Sequence, residues 1–201
     1  MGTPDGTVEI DDGTLARIES PVPGPIGLDA PSGSGTHSQP AMSTRILGYA
    51  RRQSGTRVGD GQCFALADRA LTSAGAKTAS DFGTITRDAD YVWGTSVALS
   101  DLQPGDVIQF RGYVFDRETT TEHPDGSTDT RTEKQGRSHH TAVVESVGSH
   151  GDAMVLEQNS PDGSAVHRSH LYFTTTTFTE GGSTTTVTVQ GTVWFYRPQP
   201  R

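Results

Sequence analysis

Four residues of this sequence have side chains that could together carry out nucleophilic hydrolysis. Cys63 is the single cysteine of the 201-residue chain and Asn159 the single asparagine, and His140 and Glu157 lie between them. A hydrolase that attacks through sulfur needs a thiolate, a base within hydrogen-bond reach, and a polar group that fixes the tautomer of that base. Cys63 is the candidate nucleophile, His140 the candidate base, and Glu157 and Asn159 the candidate orienting groups.

The segment after Gly61 predicts a helix that begins next to the thiol. Small and apolar residues recur at intervals of three or four over residues 64–74, and Gly75 follows as a helix stop. A helix that starts near Gly61 or Gln62 places Cys63 in its first turn, where unpaired N–H groups and partial positive charge favour the thiolate and can bind an oxyanion. We expect Gly61 to allow close approach of a substrate backbone and the Gln62 side chain to add an oxyanion donor.

The base and the orienting groups are predicted to meet across a β-hairpin. The stretches 142–147 and 154–156 are rich in β-formers, and a symmetric turn between them places His140 opposite Asn159. Glu157 then projects from the same face as Asn159, because side chains on one face of a strand repeat every two residues. A slip of one residue would turn one strand's set to the other face and separate these groups.

Two adjacent histidines compete for the role of base. His139 and His140 project to opposite faces if both lie in a strand, so only one of them reaches the thiol. We take His140 as the base and keep His139 as the alternative. A zinc site that combines either histidine with His123 and an acid is a further reading, but the sequence has no helical HExxH spacing to support it. We therefore expect no metal and no cofactor.

The remaining elements indicate an α+β domain. A first helix is predicted from Ser43 to Arg52, and the β-rich segments come after the helices without regular βα alternation, which favours helices packed on an antiparallel sheet. Those segments are residues 107–110 after the turn Pro104-Gly105, 142–147, 154–156, 187–189 and 193–196. Residues 111–138, with Asp125-Gly126 at the centre, predict a protruding hairpin, and the threonine-rich residues 174–188 predict a second exposed hairpin.

Composition bounds the possible functions. The formal net charge is −8, so the chain lacks the basic surface that binds nucleic acid, and no apolar run is long enough to span a membrane. A single cysteine excludes an intramolecular disulfide. Residues 1–42 are acidic and rich in proline and glycine, and we expect a disordered leader or linker before a domain over residues 43–201. An edge strand at residues 8–10 is the alternative for part of that leader.

Four short motifs resemble the CHAP domains, a family of cysteine, histidine-dependent amidohydrolases and peptidases with a papain-like fold. In family order they are Gly61-Gln62-Cys63-Phe64-Ala65, Leu102-Gln103-Pro104-Gly105-Asp106-Val107, His140-Thr141-Ala142-Val143-Val144 and Leu156-Glu157-Gln158-Asn159. The resemblance implies Cys63 as nucleophile, His140 as base, and Glu157 with Asn159 as the orienting pair. It also implies amide bonds of bacterial peptidoglycan, or of a peptide, as the substrate.

Two questions stay open at this point. A CHAP-like fold without turnover, which binds a cell wall or a protein through the hairpin 111–138, is the alternative to an enzyme. A wall substrate would require export, yet residues 1–42 have neither the basic start nor the apolar segment of a secretory signal. The cellular location is therefore left open.

Overall fold

The computed structural model describes residues 39–201, with side chains from residue 41 onward. Residues 1–38 of the expected leader over residues 1–42, including the possible edge strand at residues 8–10, lie outside the described residues. Among the described residues no helix has the length and apolar character needed to cross a membrane.

Two α-helices precede the sheet. Helix α1 spans Gln39–Arg52 and helix α2 spans Cys63–Ala74. Helix α2 begins and ends as predicted, with Gln62 as N-cap and Gly75 as a left-handed C-cap (φ 74°), a conformation that glycine adopts without the usual Cβ penalty. Helix α1 begins four residues before the predicted domain start at residue 43. Met42 explains the difference, because its side chain is buried in the core and therefore belongs to the domain.

A seven-stranded antiparallel sheet forms the rest of the domain. The strands are β1 (Thr95–Val97), β2 (Val107–Glu122), β3 (Thr128–Val147), β4 (Asp152–Glu157), β5 (His167–Tyr172), β6 (Thr176–Glu180) and β7 (Ser183–Arg197). Their order is β1-β7-β2-β3-β4-β5, and β6 pairs with β7 outside this path. Single turns of 3-10 helix lie at Ala79–Asp81 and Leu99–Asp101. The antiparallel sheet with two helices agrees with the predicted α+β class.

The two faces of the sheet contribute to separate apolar clusters. On one face, Val107, Val143 and Tyr196 pack with buried side chains of α1 and α2. On the other face, Phe110 and Val144 pack with buried residues of β4, β5 and β7. Burial of apolar side chains on both faces fixes which way each residue of β2 and β3 points, and this sets the orientation of the site residues between them.

The two predicted hairpins are present, but the first is part of the main sheet. Strands β2 and β3 join at a tight turn in which Gly126 donates its N–H to the carbonyl of His123, close to the predicted centre. The base of this hairpin is not a protruding insertion, since Tyr113 and Phe115 are fully buried in the second cluster. Strands β6 and β7 form the second hairpin around Gly181-Gly182. The segments predicted at 187–189 and 193–196 belong to the single strand β7.

The register between β3 and β4 agrees with the prediction near the site and differs at the turn. Val143 pairs with Leu156 and Val144 with Val155, which is the predicted alignment. Beyond Glu145 a bulge shifts the register by one residue, so the tip of the hairpin does not close as symmetrically as expected. The bulge confines the difference to the turn and leaves the alignment beside the site as predicted.

Candidate active site

The thiol of Cys63 lies at the N-terminal end of α2, partly exposed to solvent. The loop that leads into this helix is held from below by Gln158, a fully buried residue that directly follows β4. Its side chain accepts a hydrogen bond from the Val58 N–H (2.9 Å) and donates to the carbonyls of Val58 (3.0 Å) and Gln62 (2.6 Å). One buried amide thus fixes the start of α2 against the end of β4, although the sequence analysis gave Gln158 no role.

The imidazole of His140, on β3, is the partner of this thiol. Both side chains line one groove, where His140 lowers the pKa of the thiol and Cys63 raises the pKa of the imidazole. The backbone N–H groups of Thr141 and Phe64 also lower the pKa of the thiol. His140 is buried, with 4% of its surface exposed. The structure therefore brings together the two residues that the sequence predicted to react in concert.

A carboxylate lies on the far side of the imidazole. Nε2 of His140 is 2.8 Å from Oε2 of Glu157, the last residue of β4. The N–H is outside hydrogen-bond alignment with that oxygen, so the contact is best described as an ion pair. Because Nε2 faces Glu157, Nδ1 is the ring nitrogen left for the thiol, and the order thiol, imidazole, carboxylate is that of a nucleophile, a base and an orienting group.

Arg137 completes this cluster and was not predicted from the sequence. Its Nε donates to Oε2 of Glu157 at 2.9 Å and its Nη2 to Oε1 at 2.5 Å, so the guanidinium binds both carboxylate oxygens. Arg137 is 6% exposed and Glu157 is 0% exposed. The only sequence signal was an arginine three residues before the candidate base, inside a segment interpreted as a remote hairpin.

The electrostatics of the cluster favour a charged pair. Burial raises the pKa of the Cys63 thiol, but the contacts with His140 and the two backbone N–H groups outweigh it, and the pKa lies below its ordinary value. Burial lowers the pKa of His140, but Cys63 and Glu157 together hold it above its ordinary value. Burial also opposes ionisation of Glu157, yet His140 and Arg137 lower its pKa to about 2. These directions agree with a thiolate beside an imidazolium.

Asn159 is placed differently from the prediction. Strand β4 ends at Glu157, and Asn159 has left-handed backbone geometry (φ 63°), which turns the chain away from β3. Its side chain accepts a hydrogen bond from the Gly163 N–H (2.7 Å) and donates to Oε1 of Gln62 (3.2 Å). The expected pairing with His140 is therefore wrong, because regular strand geometry stops before Asn159. Its observed contact is with Gln62, and Glu157 alone contacts the base.

Gln62 and Gly61 precede the thiol with different surroundings. Gln62 is exposed beside Cys63, and because Asn159 occupies its amide oxygen, its Nε2 is the end left to donate. Gly61 is buried and lies outside the groove lining, so it does not provide the expected close approach to substrate. A positive φ of 84° explains why a glycine occupies this position, since other residues rarely adopt that conformation. In this conformation the Gly61 N–H donates to the carbonyl of Val58.

An open groove of about 790 Å³ gives access to the cluster. Cys63, His140 and Arg137 lie along it together with the exposed segment 85–88 and the turn 159–162 that follows β4. The groove therefore combines the candidate nucleophile and the candidate base with both acidic and basic side chains. A groove of this size admits several residues of an extended chain.

His139 does not compete for the thiol. Its Nε2 lies 2.8 Å from the carbonyl oxygen of Ala89, and its ring contacts Tyr91. His123, the third histidine of the zinc reading, lies at the far turn of the β2–β3 hairpin, where it contacts Asp129. Within residues 39–201 no group of three His, Cys, Asp or Glu side chains is arranged to hold a metal ion.

Comparison with known families gives the fold an assignment. The family described as the AIM3/BBC1 Cysteine proteinase-fold domain matches residues 36–201. This supports the papain-like fold that the motifs implied, but the match is to AIM3/BBC1 and not to the CHAP domains specifically. No curated protein and no solved structure matches the chain. The match covers α1, α2 and all seven strands, and the chain therefore belongs to the AIM3/BBC1 family through its cysteine proteinase-fold domain.

Proposed function

We propose that the domain is a thiol hydrolase that cleaves amide bonds, with Cys63 as nucleophile and His140 as base and acid. One observation carries the proposal: a thiol at a helix start lines the same groove as an imidazole whose Nε2 lies 2.8 Å from the buried carboxylate of Glu157. A lowered pKa of the thiol and a raised pKa of the imidazole favour the reactive charged pair at neutral pH.

The reaction proceeds in two stages. The Cys63 thiolate adds to the amide carbonyl carbon, and the carbonyl electron pair moves to oxygen, where Nε2 of Gln62 can donate to the oxyanion. The His140 imidazolium gives its proton to the leaving nitrogen as the C–N bond breaks, which leaves an acyl-thioester. Water then adds to the thioester and gives a proton to His140, and the C–S bond breaks to release the acid. Glu157 orients the ring and balances its charge throughout.

The substrate class we propose is the amide bond of a peptide. The family description names a cysteine proteinase fold and no substrate. Peptidoglycan, which the CHAP resemblance implied, is therefore one source of such bonds among others. The open groove beside Cys63 supports an extended chain, with residues 85–88 on one side and the turn 159–162 on another. Within peptidoglycan, the enzyme could cleave either the sugar–peptide amide or an amide inside the peptide, and the hydrolysis products distinguish the two.

The test is hydrolysis by the purified chain of a mixed-sequence fluorogenic peptide library and of purified peptidoglycan, with release of new amines as the readout. We expect Cys63→Ala and His140→Gln to reduce the rate to background. The control Arg168→Met alters a carboxylate contact that does not line the groove and should leave the rate intact. Full activity in Cys63→Ala would reject the assigned nucleophile, and release of amines from neither substrate would reject the proposed reaction.

The alternative is a binding module that keeps the fold without turnover and uses the β2–β3 hairpin as its contact surface. The pH dependence of iodoacetamide alkylation at Cys63 distinguishes the two. A reactive pair predicts alkylation with a midpoint well below the ordinary thiol pKa of about 8.5. A midpoint at the ordinary value would favour the binding module.

A further inference from the structure

Arg137 lies at the base of the β2–β3 hairpin and makes four hydrogen bonds from a buried position. Two go to Glu157, one goes from Nη1 to the carbonyl of Gly136 (2.8 Å), and one from Nη2 to Oε1 of Gln135 (3.1 Å). A planar guanidinium bound in this way fixes the plane and the rotation of the carboxylate that it holds. The carboxylate oxygen that receives Nε of Arg137 is Oε2, which also contacts His140.

We propose that Arg137 is a positioning residue that acts through Glu157 to hold the His140 imidazole against the Cys63 thiol. The inference deepens the proposed function and rests on it. The hydrogen bonds of Arg137 go to Glu157, Gly136 and Gln135, so its effect on the base passes through the Glu157 carboxylate.

The backbone of the hairpin is shaped so that Arg137 can reach this position. His140 and Arg137 are three residues apart on β3, and regular alternation would place them on opposite faces of the sheet. Their partners on β2 are Phe110 and Tyr113, yet both partners pack in the same apolar cluster. Residues that pair across two strands share a face, so His140 and Arg137 project from one face as well.

The change of face coincides with Gly112. The pairing of β2 with β3 passes from Arg111–His139 to Tyr113–Arg137 without a pair at Gly112, and the pairing of β2 with β7 shifts at the same place. Gly112 has a positive φ of 58°, which interrupts the alternation of the strand. The irregularity places a second charged side chain beside Glu157, where a regular hairpin would have turned it away.

The charges around Glu157 determine what loss of Arg137 would do. Two histidines face the Glu157 carboxylate. His140 of β3 lies next to Oε2 and also interacts with Cys63 of α2, and Nε2 of His167 on β5 lies 3.8 Å from Oε1 of Glu157. From β2, the buried Tyr113 interacts by charge with both Arg137 and Glu157. Arg137 is the permanent cation of this set, and it offsets part of the field of Glu157 at His140.

Removal of that cation therefore has a defined sign. In Arg137→Met the Glu157 carboxylate acts on His140 without its counter-charge, so the imidazolium becomes harder to deprotonate and the thiolate harder to form. We expect the alkylation midpoint of Cys63 and the basic limb of the kcat/KM profile to move to higher pH by about one unit. Arg137→Lys keeps the positive charge but cannot donate to both carboxylate oxygens of Glu157 at once, so the shift of the alkylation midpoint should be smaller. Because the carboxylate is then less well oriented, kcat should fall by up to about 10²-fold at near-normal KM.

The experiment measures three properties of the folded variants Arg137→Met and Arg137→Lys. They are the pH profile of Cys63 alkylation, the split between kcat and KM, and the urea midpoint of unfolding. The control is Arg168→Met, because Arg168 also binds both oxygens of a carboxylate, that of Glu145, and neither residue lines the groove. The control should lose stability without any shift in the alkylation midpoint.

The outcomes separate this inference from the proposed function. Alkylation needs no substrate, so a shift in Arg137→Met supports the positioning role even if no amide is hydrolysed, whereas the absence of hydrolysis alone rejects the proposed reaction. Wild-type alkylation profiles and wild-type kcat in both variants would overturn the inference. If Arg137→Met does not fold, Arg137→Lys decides: a lowered kcat with an unchanged urea midpoint supports the role, and an unchanged kcat overturns it.

Discussion

Replacement of Glu157 by glutamine tests the charge arrangement of the site through protein stability. The amide keeps the shape of the side chain but removes its charge, so Arg137 loses a charged partner in a buried position and His140 loses its counter-charge. The pKa of Glu157 falls from 4.5 to about 2 on folding, and each pKa unit corresponds to about 1.4 kcal/mol. The ionised carboxylate therefore contributes about 3 kcal/mol to the free energy of unfolding, without discount for screening because Glu157 is 0% exposed.

The sign of the pH dependence follows from the direction of the shift. A carboxyl group with a lowered pKa in the folded state stabilises the protein above its unfolded pKa and loses that contribution as the pH falls toward its folded pKa. Glu157→Gln should therefore be less stable than the wild type by about 3 kcal/mol at pH 7. The difference should shrink between pH 5 and pH 2, since the wild-type carboxyl then becomes a neutral group of similar shape.

Urea unfolding of both proteins at pH 7, 5, 3 and 2, followed by circular dichroism, measures this difference. Glu145→Gln is the matched control, because Glu145 is also a buried carboxylate that pairs with arginines, and its pKa is likewise lowered. The control should lose stability but retain the wild-type alkylation profile of Cys63, whereas Glu157→Gln should change both. A stability difference that stays constant from pH 7 to pH 2, or no difference at pH 7, would refute the reasoning.

Two further substitutions test how the backbone supports the site. Gln158→Leu leaves the buried Val58 N–H without its hydrogen-bond partner, so the free energy of unfolding in urea titrations should fall by about 1–3 kcal/mol. Alkylation of Cys63 should also be slower in this variant. A normal alkylation rate would show that the hydrogen bonds of Gln158 to the loop before α2 are dispensable for the reactivity of the thiol. Gly191→Ala should lower the thermal unfolding midpoint more than the control Gly181→Ala. A Cβ at position 191 would lie 2.3 Å from the carbonyl oxygen of Gly112, whereas a Cβ at position 181 would meet no atom within 4 Å. Equal midpoints for the two variants would contradict this packing argument.

The parts of the site that lie in regular elements could be predicted from the sequence. Helical periodicity and a terminal glycine located Cys63 at the start of α2, and alternation in β3 and β4 aligned Val143 with Leu156 beside the site. Both predictions depend on local periodicity, which burial of one face enforces.

The parts that the sequence did not predict lie where that periodicity is interrupted. Arg137 reaches Glu157 because the alternation of the hairpin is interrupted at Gly112, and a glycine in a strand pattern does not reveal which residues exchange faces. Asn159 leaves the face of Glu157 because its backbone turns left-handed after β4 ends. The contacts of Gln158 with the loop before α2 join segments about a hundred residues apart, and no short-range pattern reports such a contact.

The bulge at Glu145 separates the tip of the β3–β4 hairpin from its base. Because the one-residue offset is taken up between Val144 and Ser146, the alignment of Val143 with Leu156 is independent of how the turn beyond it closes. The relative placement of the histidine and the glutamate therefore does not depend on the register of the turn at residues 148–151. The turn is instead tied to its neighbours, since Phe173 donates its N–H to the carbonyl of Gly151 and the His150 ring stacks on Phe178, so a replacement loop would have to keep both contacts.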